Sequence, residues 1–182
     1  MIPSVPRFVA ALRDRRGVAM VEFALILPVM LVLYLGGAQL QDGIACNRKV
    51  TIATRAAGDL ITQNTSGKIS AKEVDDSLKV ATQVLLPYAA SEATVRVTEV
   101  ATSNGRTSVV WSRGLNVAAY KRGTAIVIPP EMRMDGIYFL FAEVTYSYTP
   151  PISFGAIGPL NLKDSLYMIP RNTDQIDCPD CL

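Results

Sequence analysis

The sequence predicts an α+β fold in which a long N-terminal helix crosses a membrane and continues into a small exported domain, with a second helix and an antiparallel sheet. Three observations lead there. The run from Gly17 to Leu40 has 18 hydrophobic residues in 24 and a single charge, Glu22. A stripe of apolar residues at near-helical spacing follows it, and a Ser-x-x-Glu signature opens a second amphipathic stretch. Later in the chain the pattern changes to β-rich segments separated by turn residues.

The apolar run comes first. As a helix it extends roughly 36 Å at about 1.5 Å per residue, enough for a hydrocarbon core about 30 Å thick. Its apolar residues cover all faces, whereas the core helix of a soluble domain is apolar on one stripe. Arg13-Asp14-Arg15-Arg16, with Arg7 further back, place four positive charges against one negative before the run and hold the N-terminus in the cytoplasm. Arg48, Lys49 and Arg55 follow it, accompanied by Asp42 and Asp59. A secretory signal peptide is the competing reading, with Gly36-Gly37-Ala38 before Gln39 as a small-x-small cleavage site. Against it, the run is long for a signal and carries a carboxylate near its start. Pro28, Gly36-Gly37 and Gly43 are expected weak points of the helix, Pro28 because it lacks an amide donor.

Beyond the membrane the helix should continue, with Ala45, Val50, Ala53, Ala57, Leu60 and Ile61 on one stripe and Arg48, Lys49, Arg55, Asp59 and Gln63 elsewhere. Asn64-Thr65-Ser66-Gly67 ends it. Ser70-Ala71-Lys72-Glu73 reads as a capping box, followed by Val74, Leu78, Ala81, Val84 and Leu85 on the apolar face of a second helix that closes at Pro87. Glu73, Asp75 and Asp76 complement the dipole at its start. Thr94 to Val100 and Thr107 to Trp111 are strands joined by a hairpin turn at Ser103-Asn104-Gly105-Arg106. Thr124 to Ile128, ended by Pro129-Pro130, Gly136 to Tyr148, and Ser165 to Ile169 complete four or five antiparallel strands. Phe139, Phe141, Tyr146 and Tyr148 alternate as strand residues, partly core and partly a candidate docking face, with the core favoured.

The chemistry is narrowed by what is missing. Among 182 residues there is no histidine, which excludes a Ser-His-Asp triad, a His-ligated zinc and an imidazole acid–base step. The balance of 18 basic against 16 acidic residues is too even for a nucleic-acid partner. No Walker or G-x-S-x-G pattern appears. The expectation is a non-enzymatic chain with no catalytic residue, cofactor or metal. Cys178-Pro179-Asp180-Cys181 is a C-x-x-C pair, but a redox motif sits at a helix N-terminus after a strand, and nothing predicted here supplies that helix. A disulfide between Cys178 and Cys181, formed in an oxidising compartment, is the expected state. Cys46, left over, reads as a packed thiol.

Glu22 needs a reason, since a carboxylate at mid-span costs roughly 2.5–3.5 kcal/mol, and less near an end. A cut between Gly17 and Val18 supplies one: the new amine lies one helical turn from Glu22, and in a stack of related helices it can meet a neighbour's carboxylate. Opposite charges in an apolar bundle compensate each other and fix axial register.

The segment RRGVAMVEFALILPVMLVLYLGGAQ resembles the N-terminus of the TadE-like family, minor pilins of the tight-adherence (Tad, or Flp) pilus. RKVTIATRAAGDLITQ, VTYSYTPP and MIPR followed by the late cysteines are similar to this family as well, whereas the middle, about residues 66–135, carries no resemblance. The resemblance implies a leader removed by a prepilin peptidase, with Gly17 before the cut, Val18 first in the mature chain, and Glu22 and Phe23 as the recognition and assembly pair. It implies four parts: leader 1–17, transmembrane helix 18–41, helix extension 42–65 and exported domain 66–182. The implied setting is a bacterial inner membrane crossed once, N-terminus cytoplasmic and C-terminal domain periplasmic or extracellular. Implied partners are the peptidase, other Tad pilins and assembly proteins, in the service of pilus assembly and surface attachment. The D-x-S-x-S metal motif of longer relatives is absent, as Asp76-Ser77-Leu78 and Asp164-Ser165-Leu166 show. Two rivals are a signal-anchored or secreted enzyme and a soluble exported binding domain.

Overall fold

The computed structural model describes residues 17–151 and 159–181. The basic flank at residues 7–16 lies outside them. The first helix, α1 (Val18–Thr62), is 45 residues long and runs without a break through Pro28, Gly36, Gly37 and Gly43. The chain divides into two compact units, one ending at Gln41 and the other Asp42–Leu182, and α1 contributes to both.

In the second unit, α1 turns one face to the core. Cys46, Val50, Ala53, Thr54, Ala57, Gly58, Ile61 and Thr62 are buried, a three-and-four spacing of mostly small residues. The expected stripe is corrected at two places: Ala45 and Leu60 are exposed, and Cys46, Thr54 and Gly58 take the inward positions. Gly58 permits the close approach, because a Cβ built there would lie 2.8 Å from Met168 Sδ. Asn64 closes the helix with an Asx turn, its Oδ1 accepting from Ser66 N at 3.0 Å, and Gly67 follows at φ +67°.

The second helix, α2 (Ala71–Gln83), opens with the predicted capping box: the Ser70 hydroxyl accepts from Glu73 N at 3.3 Å and Glu73 Oε2 accepts from Ser70 N at 2.8 Å. Val74, Leu78 and Ala81 are buried. The helix stops before Pro87, and Leu85–Tyr88 form turns.

Among the described residues four strands follow: β1 (Ala93–Ser103), β2 (Arg106–Leu115), β3 (Tyr138–Tyr148) and β4 (Leu160–Met168). They form one antiparallel sheet in the order β2-β1-β3-β4. Asn104 and Gly105, at φ 52° and 71°, make the β1–β2 turn with both central residues left-handed, as an Asn-Gly hairpin requires. The β1–β2 register shifts between Glu99 and Val100, so that Glu99 faces Trp111 and Val100 faces Val109.

Two strand expectations are corrected. Thr124 to Ile128 is not a strand. It touches β2 through the single bridge Ser108↔Ala125 and then leaves, with Val127 85% exposed and Ile128 buried. Gly123, at φ +78°, turns the chain onto the edge, where Val109 N donates to Thr124 O and Ile126 N to Thr107 O, and the pairing runs out after Ile126 because β2 begins at Arg106. The last strand begins at Leu160 rather than Ser165; Leu160 and Leu162 alternate with Asn161 and Lys163, but Asp164 interrupts the alternation before Leu166 and Met168.

One face of the sheet packs on both helices. Val95, Val97, Trp111, Leu140, Ala142, Val144, Tyr146 and Tyr148 join Val50, Ala57, Ile61, Leu78 and Leu85 in a single core. Strand alternation puts Phe139 and Phe141 on the opposite face from Tyr146 and Tyr148. All four aromatics are buried, and Phe141 stacks on Tyr167 with centroids 4.5 Å apart.

Candidate functional site

The start of α1 carries the residues singled out for processing and assembly. Val18 is its first residue; Gly17 and Val18 are exposed, as are Glu22 and Phe23 on the following turn. Large apolar side chains surround the helix on every side: Met20, Val21, Leu25, Ile26, Val29, Met30, Val32 and Leu33 are all more than half exposed. None of the most apolar 18-residue window is buried within the chain. Glu22 has no hydrogen bond or ion pair among the described residues. A helix that is apolar all round and unburied must find its surroundings elsewhere, in lipid or in other helices. By length and composition this helix fits a single-pass membrane anchor.

At the point where the second unit begins, Asp42 gathers two tyrosines. Its Oδ1 accepts from Tyr88 Oη at 2.8 Å and its Oδ2 from Tyr148 Oη at 2.7 Å. Burial, and then the bonds to this carboxylate, push both phenols above their ordinary value, Tyr148 to about 12. The rings of Tyr88 and Tyr148 meet edge to face. Asp42 is one turn before Cys46, whose thiol is buried and pushed up to about 11 by burial and by that carboxylate. Such a thiol is a packed group, not a nucleophile.

The late cysteines lie in a tail stitched to the domain. Cys178 and Cys181 are joined by a disulfide. Asp180 Oδ1 accepts from Ala71 N at 2.9 Å, adding a second carboxylate to the N-terminus of α2. Ile69 N donates to Asp177 O and Asp177 N to Gly67 O, both at 2.9 Å. Cys178, Asp180 and Cys181 are close enough together to resemble a metal group, but both sulfurs are spent in the bond to each other and the aspartate is engaged by α2.

Sequence reading passed over Glu99. It is 1% exposed, and its Oε1 accepts from Ile176 N at 2.7 Å, while Trp111 Nε1 donates to Ile176 O at 2.7 Å. Burial raises the carboxyl to about 7, against the opposing pull of these donors; Asp177 nearby adds to the rise. The signal was available: Val95, Val97 and Glu99 share one parity along β1, which places a carboxylate on a buried face. Asp42 was legible only as a flanking charge, because its tyrosines come from residues 46 and 106 positions away.

Residues 17–58 match the family described as TadE-like protein, which covers α1 from its first turn nearly to its end and bears out the resemblance of that segment. Neither a curated protein nor a solved structure matches the chain. The match spans 42 of the 182 residues.

Proposed function

We propose that this chain, TadE-like over residues 17–58, is a minor pilin (pseudopilin) of a Tad pilus, made as a precursor in the bacterial inner membrane and cut after Gly17 by a prepilin peptidase. The leader and N-terminus are cytoplasmic, and the domain beyond Asp42 is periplasmic or extracellular. The observation that carries this reading is Glu22: a lone carboxylate, with no partner among the described residues, at the start of a helix otherwise apolar on all sides.

The mechanism is interaction rather than catalysis. Before the cut, Glu22 lies near the cytoplasmic end of the span, where water and headgroups reduce its cost. After the cut, Val18 carries an ammonium about 6 Å along the helix axis from Glu22, at 1.5 Å per residue. When such helices leave the bilayer and pack together, the ammonium of one meets the carboxylate of the next, and the pairing sets how far each subunit slides along its neighbour. Phe23 presents an exposed ring to the same neighbours. The exported domain contacts other pilus parts.

The test is Glu22→Ala in the full-length protein in its own host. Sheared surface pili and surface attachment should fall at least tenfold, while the thermal melting of the domain stays unchanged. Normal piliation and attachment would remove Glu22 from assembly. N-terminal sequencing of membrane-extracted protein tests the cut: Val18 is expected, whereas Gln39 would point to a secreted domain and Met1 to a plain anchor.

A further inference from the structure

The tail beyond β4 is anchored on both sides of Ile176. Upstream it lies on the end of α1: Arg171 N donates to Thr62 O at 3.1 Å, Asn172 Nδ2 to Gln63 O at 3.1 Å, and the Arg171 guanidinium pairs with Asp59. Ile176 itself is fully buried, its amide donating to Glu99 and its carbonyl accepting from Trp111. Downstream, Asp177 exchanges backbone bonds with Gly67 and Ile69, Cys178 is 4% exposed, and Asp180 Oδ1 accepts from Ala71 N at the start of α2. Residues 169–181 contain no helix or strand, so no regular ladder of their own holds them in place. The seat of Ile176 asks most of these anchors, because the Glu99 carboxyl gives up water when the tail closes, which disfavours its ionised form. The disulfide ties the downstream anchor together. It joins Cys181 to the buried Cys178 and so holds Asp180 against α2. With the bond open, ordering residues 179–181 is set against one exposed hydrogen bond, and the entropy wins.

We propose that the Cys178–Cys181 bond is a redox latch on the tail. Closed, it keeps Asp180 on α2 and Ile176 seated between Glu99 and Trp111. Opened by a dithiol, it lets residues 176–181 leave, and the Glu99 carboxylate and the Trp111 indole meet water. In the opening step a thiolate of the dithiol attacks the sulfur of Cys181, the less buried of the two cysteines, and the Cys178 sulfur departs as a thiolate and takes up a proton. The second thiol of the dithiol then displaces Cys181 from the mixed disulfide, and Cys181 is protonated in turn. Two electrons and two protons pass to the cysteine pair, and the reductant ends as a disulfide. The latch lies wholly within the unit Asp42–Leu182 and does not rest on the pilus role. The state of the domain thereby follows the thiol–disulfide balance of its compartment.

The experiment uses the full chain in detergent at neutral pH, where Trp111, the one tryptophan, reports whether Ile176 is seated. Millimolar dithiothreitol, its effect on the bond checked by alkylation and mass analysis, should raise acrylamide quenching of Trp111 at least threefold. Hydrogen exchange of the Ile176 amide should speed up at least tenfold, while the amide of Val144, in the middle of β3, exchanges as before. Cys178→Ser combined with Cys181→Ser should match the reduced protein in both readouts. Reduced protein with Trp111 quenching and Ile176 exchange unchanged would show a tail that stays seated without the bond, which overturns the latch. Val144 accelerating as much as Ile176 would make the bond a staple of the whole fold, and the latch is overturned again. A bond that dithiothreitol leaves closed overturns the switch, even where the double variant loosens the tail.

Discussion

The two units meet the same physical demand in opposite ways. Residues 18–33 are exposed throughout, so the apolar surface of this half of α1 is left for other molecules to cover. Within Asp42–Leu182 the same helix buries eight residues against a sheet, a second helix and a stitched tail. Even the acids differ: Glu22 is exposed and has no partner among the described residues, whereas Glu99 is sealed in the core and holds a backbone amide. One unit is finished only by its surroundings and the other by itself. A helix can therefore be structural at one end and interactive at the other with no change in secondary structure.

That contrast can be broken with one substitution made twice. Leu78→Ala removes a fully buried side chain and should lower the domain's unfolding free energy by about 2–5 kcal/mol. Leu31→Ala, in the exposed run, should leave domain unfolding unchanged in detergent, read by urea denaturation of the full chain. Equal losses would mean that the two units are not independent in stability.

Glu99 sharpens it next. Its folded value, raised from 4.5 to about 7, means the folded domain favours the protonated acid, so its stabilisation is complete below pH 4.5 and is lost as pH rises through about 7. The loss is about 3 kcal/mol over that window. Glu99→Gln, which keeps the shape and an acceptor for Ile176 N, should flatten the curve; identical slopes between pH 4.5 and 7 in variant and parent would show that the carboxylate is not the titrating group. The smallest effect is local. Ser70→Ala removes half of the capping box and should cost about 1 kcal/mol, seen as a small drop in melting temperature with α2 amides exchanging faster.

What could be read in advance follows the range over which each feature is decided. The capping box at Ser70 and Glu73, the Asn104-Gly105 turn and the apolar run from Gly17 are set within a few residues, and each stands where it was expected. Thr124 to Ile128 failed because apolar residues with β character become a strand only if an edge is offered along their whole length, and β2, which begins at Arg106, offers one only as far as Ile126. The start of β4 was missed because Asn161, Lys163 and Asp164 sit on an outer strand where pairing with β3, not burial, selects the conformation. For the candidate site, Glu22 and Phe23 were conspicuous against an apolar background. The Asp42 cluster was not, being assembled from three distant parts of the chain.

The tail at Ile176 also sets an order of events. Glu99 and Trp111 belong to the first hairpin, yet both wait for the amide and carbonyl of residue 176. In a chain made from its N-terminus, both helices and the four described strands are complete before that residue arrives. Until then Glu99 lacks the amide it accepts from and the Trp111 indole lacks the carbonyl it donates to, so neither bond can help hold the hairpin. Closure of this part of the core therefore depends on the tail, and the hairpin alone cannot complete it.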